Sequence, residues 1–285
     1  MSDLQRPDLR ISDPCAGPDV LPRIWDPQSR VGDMLRGLRG LVVGIANRDR
    51  IAFGCASKLR GFGAELAVTY LNEKAERFVR PLAEDLGAEL ILQLDVEQPG
   101  QMEAVFDRLG TEWGRLDFVV HSIAFAPRAD LHGRVVDCSQ AGFLQAMAVS
   151  CHSFIAMARL AEPLITEGGA LLTMSYYGAD KVVNNYNMMG PVKAALEASV
   201  RYLAAELREH GIRVFAASPG PLKTRASSGI AAFDELIDDA VVRAPARRLV
   251  DIAEVGRVVA FLVGGVASGM TGDTIYVDAG LHIVA

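Results

Sequence analysis

"GLRGLVVGIANRDRIAFGCA", residues 37–56, is the stretch on which the fold turns. A short β-branched run, Leu41–Ala46, gives way just past Gly44 to a helical stretch that opens near Ile51. The same alternation recurs along the chain. Further apolar runs bounded by turn residues lie at Glu65–Tyr70, Leu90–Asp95, Leu116–Ser122, Ala170–Tyr176, Arg213–Ser218 and Thr274–Asp278. Helical patterns separate them at Glu73–Leu86, Gln101–Glu112, Gly142–Leu164, Asn187–Glu209 and Ile252–Val263. Short strands alternating with longer helices predict an α/β fold, with a parallel sheet covered on both faces.

Composition narrows the class. Half of the 285 residues are hydrophobic, enough for one large α/β domain in preference to two small ones. A net charge of −6 and a pI near 5.4 argue against a broad nucleic-acid-binding face. Cys15, Cys55, Cys138 and Cys151 show neither metal-ligand spacing nor a disulfide framework. His121, His132, His152, His210 and His282 are equally dispersed, so no metal site is expected. No run reaches the ~18 apolar residues of a membrane span. The amino end lacks the pattern of a secretory signal, so no membrane partner and a cytoplasmic location are expected.

Residues 1–36 differ from the remainder. Pro7, Pro14, Pro18, Pro22 and Pro27 interrupt them, which predicts an irregular arm. Ile24 and Trp25 are its candidate docking residues on a neighbouring subunit, the alternative being a loose tail. The folded domain is then 37–285.

In a parallel sheet of this type ligands bind at the carboxyl ends of the strands. After the first strand, Gly44 starts a turn without a full G-x-G-x-x-G, yet the backbone N–H groups near Ile51 would face a pyrophosphate. No arginine or lysine stands at Leu71–Asn72 to meet a 2′-phosphate, which favours NADH over NADPH, with Lys74 nearby. Asp95 is either an acceptor for an adenine amino group or a helix cap. The small Ala124 allows close backbone approach after the fourth strand.

One long helical pattern carries Lys193. The position four before it is Met189, and the nearest tyrosine upstream is Tyr186, seven before it. Both spacings put a side chain on the lysine's face, offset by about 40° and about 20°, but the longer one moves the phenol a further turn along the axis. Tyr177 and Lys181 also stand four apart, in a segment whose Gly178 and "VVNN" predict a loop.

The stretch "SYYGADKVVNNYNMMGPVKAALEASVRYLAAEL" resembles the enoyl-[acyl-carrier-protein] reductases, a divergent branch of the short-chain dehydrogenases. "GIANRDRIA", "LDV", "HSIAFAP", "SPGPLKTRASSGI" and "TGDTIYVDAG" extend the resemblance from about Gly37 to Ala285. It implies a Rossmann-type, doubly wound sheet of seven parallel strands in a single domain. It also implies NADH-dependent reduction of trans-2-enoyl thioesters on acyl carrier protein in fatty-acid synthesis. Tyr186 would stabilise charge on the thioester oxygen, Lys193 would hold the nicotinamide ribose, and Tyr176 would line the substrate cavity.

By position, Gly44, Ile51, Asp95, Val96, Ser122, Ile123, Ala124, Lys193, Leu222 and Thr224 match the family's cofactor contacts. Arg50 stands where the family has a small hydroxyl residue, so its guanidinium either pairs with phosphate or crowds the turn. Residues 224–248 match a mobile substrate lid, with Ile230 and Phe233, along with Ala126, lining the acyl site. Lys223, Arg225, Arg247 and Arg248 are candidates for carrier-protein contact, and the family is usually tetrameric. Two other readings stay open. A carbonyl reductase would need Tyr177–Lys181, and a low-turnover cofactor-binding paralogue would rest on Arg50, Pro191 and the arm.

Overall fold

The computed structural model of the chain describes residues 31–131, 133–222 and 233–284. Residues 1–30 of the arm, with Cys15, Ile24 and Trp25, lie outside the described residues, as do His132, Lys223, Thr224, Arg225 and Ile230, and the side chain of Phe233.

Seven parallel strands form one sheet: β1 (Arg39–Val43), β2 (Glu65–Tyr70), β3 (Leu90–Gln93), β4 (Phe118–His121), β5 (Gly169–Met174), β6 (Ile212–Pro219) and β7 (Thr274–Val277). Their order is β3-β2-β1-β4-β5-β6-β7. This is the Rossmann-type doubly wound sheet that the alternation and the resemblance predict. The chain reverses direction across the sheet between β1 and β4, where Val43 lies opposite His121. A crevice opens beyond the carboxyl ends of those two strands.

The helices are α1 (Ile51–Gly61), α2 (Glu73–Asp85), α3 (Gln101–Trp113), α4 (Arg128–Leu131), α5 (Gln140–Met147), α6 (Ser153–Ala161), α7 (Met189–Glu206), α8 (Phe233–Arg243) and α9 (Ile252–Val263). Alternating strand residues face two layers of core. Leu41, Val43, Val119 and Leu171 pack with α3, α6 and α7, whereas Val42, Val68, Val120 and Leu172 pack with α1, α2 and α9. Both faces of each central strand are therefore apolar, as burial on two sides requires.

The structure refines several sequence expectations. β1 begins earlier and ends at Val43, because the chain turns at Gly44 instead of running on to Ala46. Leu35, placed by sequence in the arm, is fully buried, and its N–H donates to the Phe62 carbonyl at 2.8 Å. The single long helix expected over Gly142–Leu164 is α5 and α6 joined by a π-helical turn at Ala148–His152, with a 3₁₀ turn at Glu162–Leu164. Taken together, Gln140–Leu164 is 25 residues long and apolar enough, by length and composition, to cross a membrane. That corrects the expectation that no stretch reaches this threshold. Ser150, His152, Ser153 and Arg159 break any unbroken apolar run, yet the average hydropathy stays high. Half of its most apolar window is buried inside the molecule, with Phe154, Met157, Ala158 and Ala161 in the core.

Candidate active site

The carboxyl ends of the strands enclose a cavity of about 280 Å³. Its walls come from the start of α1 (Arg50, Ile51), the segment after β4 (Ser122–Ala126), Leu131 of α4 and the end of β5 (Met174–Tyr176). Tyr186, Met189 and Lys193 close a third side, and Pro219–Leu222 after β6 a fourth. A larger opening of about 540 Å³ lies between Glu162–Thr166 and Glu209–Gly211, at the amino ends of β5 and β6 and away from this crevice.

Local sequence explains how each side chain arrives. At Gly44, with φ +109°, an added Cβ would stand 2.1 Å from the Ser122 carbonyl oxygen. Only glycine lets the two strand ends close to this distance. The π-helical turn carries Ser150, whose hydroxyl accepts from the Phe125 N–H at 2.9 Å and donates to the Phe125 carbonyl at 3.1 Å. That pair of bonds fixes the segment after β4. His121, at the end of β4, bonds Thr173 at 2.9 Å and Ser153 at 2.8 Å. Burial pushes its imidazole down to about 3, so it is neutral and structural.

Tyr186 precedes α7. Its neighbours Asn185 and Asn187 have φ of 62° and 48°, a left-handed geometry that asparagine tolerates. These two residues swing the phenol out before the helix begins. The Asn187 side chain donates to the Leu131 carbonyl at 2.5 Å, tying the loop to α4. Tyr186 packs on Tyr176 with ring centroids 4.8 Å apart, and an added Cβ at Gly178 would meet its ring at 2.6 Å. Pro191 stands within the first turn of α7, where its missing N–H has no helical partner to lose.

Lys193 is buried, and its ammonium donates to the Met174 carbonyl at 2.7 Å. Desolvation lowers it to about 8. Burial raises both Tyr186 and Tyr176 above the ordinary phenol value, so each stays a hydrogen-bond donor at neutral pH. Arg50 is the N-cap residue of α1. Its buried Nε has no hydrogen-bond partner, and burial lowers its guanidinium. An orphaned cation beside the helix N-terminus and the Gly44 turn suits a bound pyrophosphate.

The structure thus brings Arg50, Ile51, Ser122, Ile123, Ala124, Ala126, Tyr176, Tyr186, Lys193 and Leu222 to one cavity. Gly44, Asp95 and Val96 stand at strand ends beside it without lining this wall. The Asp95 carboxylate accepts from the Glu97 N–H at 3.0 Å and does not cap α3, whose N-cap is Gly100. Tyr177 is buried in a 3₁₀ turn, while Lys181 is exposed and faces Asp180 at 3.4 Å. They form no catalytic pair. In the second half of the expected lid, α8 buries Ile237 and Ala240, with Ala240 packed beside Tyr177 and Leu281.

Sequence reasoning missed Phe125, Leu131, Met174, Ser175, Met189 and the Pro219–Pro221 turn. The "SPGP" motif signalled the last of these. The others are apolar or small residues whose place in the wall depends on packing.

The Lys193 shift has a pH consequence. Between about 8 and 10.5 the unfolded chain holds a proton on this lysine that the folded chain has released. Stability therefore rises with pH across that window. Urea unfolding should show wild type gaining on Lys193→Met as pH rises from about 8 to 10.5. Parallel curves would refute a buried ammonium.

Known proteins are similar to this chain in sequence and fold. The family model described as "Enoyl-(Acyl carrier protein) reductase" matches residues 44–282. A Rhizobium meliloti protein named enoyl-[acyl-carrier-protein] reductase [NADH] 1 is 44% identical over 256 residues, 90% of this chain and 94% of its own. A Nostoc enoyl-[acyl-carrier-protein] reductase [NADH] is 46% identical, covering 88% and 98%. The Anaplasma phagocytophilum reductase, solved in complex with NAD, superposes with a TM-score of 0.87 at 46% identity, covering 90% and 98%. A Bacillus cereus reductase, solved with NADP+ and an indole naphthyridinone, gives 0.87 at 44%, covering 89% and 99%. With the tyrosine–lysine spacing, the β1/β4 crevice and near full-length similarity in agreement, the chain belongs to the enoyl-[acyl-carrier-protein] reductase family.

Proposed function

We propose that this chain reduces the trans-2 double bond of enoyl thioesters carried on acyl carrier protein, with NADH as reductant, in fatty-acid biosynthesis. The observation that carries this reading is the placement of Tyr186 and Lys193 in one cavity with Tyr176 against Tyr186.

Bound NADH supplies the hydride that adds to the β-carbon of the thioester. The π electrons of the double bond then move onto the thioester oxygen, and a proton reaching the α-carbon completes the reduction. Tyr186 donates a hydrogen bond to that oxygen and stabilises the charge that develops there. A ketone reductase needs its donor at the carbonyl whose carbon takes the hydride; here the oxygen lies three bonds from the accepting carbon, with two carbons between. A phenol carried ahead of the helix suits the second geometry. Lys193 keeps donors free beyond its bond to Met174 for the nicotinamide ribose. Arg50 and the backbone at Ile51 hold the pyrophosphate, Ser122–Ala124 and Leu222 flank the cofactor, and Asp95 and Val96 take the adenine end. Ala126 faces the acyl chain; the expected cofactor contact of Thr224 and the acyl contacts of Ile230 and the Phe233 side chain fall outside the described residues.

The assembly belongs to the same reading. Leu144 and Tyr202 are exposed on α5 and α7, while Phe261, Val266, Ile283 and Val284 are exposed around the end of α9 and the carboxyl end of the chain. Exposed apolar side chains at these places are compatible with subunit contacts, and the resemblance to a usually tetrameric family supports a homotetramer. Arg247 and Arg248 are the described candidates for the acidic carrier protein, although Arg248 already pairs with Glu254 at 2.7 Å. A cytoplasmic location completes the proposal, checked by recovery of the chain in the soluble fraction.

Three measurements test it. Tyr186→Phe should lower kcat for a medium-chain trans-2-enoyl thioester by about 100-fold and leave NADH affinity unchanged, while the matching 3-ketoacyl thioester is not turned over by wild type. Oxidation of NADH by the ketone alone would sink this reading. Arg50→Ser should weaken NADH binding by about ten-fold and flatten its dependence on salt, read by fluorescence titration alongside NADPH, which should bind less tightly. Light scattering should return the mass of four chains, and a monomer would remove the tetramer.

A further inference from the structure

Two residues of α7, Lys193 and Glu197, stand one helical turn apart and reach two successive residues at the end of β5. Lys193 donates to the Met174 carbonyl at 2.7 Å. The Ser175 hydroxyl donates to the Glu197 carboxylate at 2.5 Å. The next residue is Tyr176. Ser175 also makes a 2.7 Å backbone bond to the Ala217 carbonyl, after which the chain leaves the sheet for a 3₁₀ turn. The Glu197 contact is therefore the last side-chain tether before the tyrosine ring that lies 4.8 Å from Tyr186.

Keeping a carboxylate in this place is costly. Glu197 is half-buried, and desolvation raises it above the ordinary carboxylate range, offset by the hydrogen bond from Ser175. A helix that needed only to pack on the sheet would be served by an apolar side chain there. Its charge also acts on the Tyr186 phenol and on Lys193. We propose that Glu197 is a positioning residue: by holding Ser175 it fixes Tyr176 against Tyr186, and so sets where the thioester is held. This inference rests on the enoyl reductase reading for its substrate and on the described geometry for its residues.

The test measures steady-state turnover of a trans-2-enoyl thioester, NADH binding by fluorescence, thermal unfolding, and near-ultraviolet circular dichroism of the tyrosine cluster. Glu197→Ala should lower kcat by about ten-fold or more, since a small misplacement of binding groups is expensive in rate. NADH affinity should stay within about two-fold of wild type. Glu197→Gln, which still offers Ser175 an acceptor, should recover most of the lost kcat. Ser175→Ala should fall like Glu197→Ala, and the double variant should fall no further, because both remove one contact. Unchanged kcat in Glu197→Ala, Gln as slow as Ala, or losses that multiply in the double variant would each overturn the proposal. If Glu197→Ala does not fold, Ser175→Ala and Glu197→Gln carry the same comparison. A wild type that binds NADH but turns over no enoyl thioester would instead defeat the reaction reading. In that case the circular dichroism decides: an altered tyrosine signal in Glu197→Ala, restored in Glu197→Gln, supports the tether, and an unaltered one refutes it.

Discussion

Strand β1 pairs with β2 on one side and with β4 on the other, and the rest of the molecule follows from that reversal. Helical connections from the two halves leave in opposite directions there, so neither covers the carboxyl ends of the two strands. The Gly44 turn, the start of α1 and the segment after β4 meet in the gap. The contact is close because Gly44 has no side chain to hold the Ser122 carbonyl away. Every group assigned here to the cofactor or the acyl substrate takes its position relative to this crevice.

Against that wall, α7 and β5 place the titratable groups of the cavity. Lys193 and Glu197 grip the end of β5 through a carbonyl and a hydroxyl, while Tyr186 enters from the loop ahead of the helix. Burial acts in opposite directions on the two kinds of group. It pushes the phenols up, so they remain protonated donors, and brings the ammonium down to about 8, so its charge is held at a cost in stability. A site of this kind trades some folding free energy for donors that are fixed before the substrate arrives.

Away from the crevice, polar groups inside the protein serve the architecture. Arg213, buried on β6, donates to the carbonyls of Leu262, Val263, Gly264 and Ala267 at the end of α9. It supplies the donors that a helix end lacks and sets a positive charge against the dipole. His121 links β4, β5 and α6 without titrating near neutral pH. The apolar stretch Gln140–Leu164 also serves the architecture, since its buried half shares one core with strand residues and α7.

The sequence by itself determined the alternation of strands and helices, and hence the parallel sheet, because the side-chain period of each element is written in local apolar spacing. It also set Met189 four residues and Tyr186 seven residues before Lys193, two spacings that both reach the lysine's face, and so left a tyrosine only at the longer one. Strand ends shifted by one to three residues because a strand stops where its partner's hydrogen bonds stop. Only the tertiary structure decided that Ser175 and Met174 belong to the site wall, that Glu197 reaches Ser175, and that the Arg50 Nε is left without a partner. It alone buried Tyr177 while leaving Lys181 exposed beside Asp180, and divided one apolar helix with a π turn that places Ser150 against Phe125. Each of those facts depends on which atoms distant in sequence stand within about 3 Å, a quantity that no spacing along one segment contains.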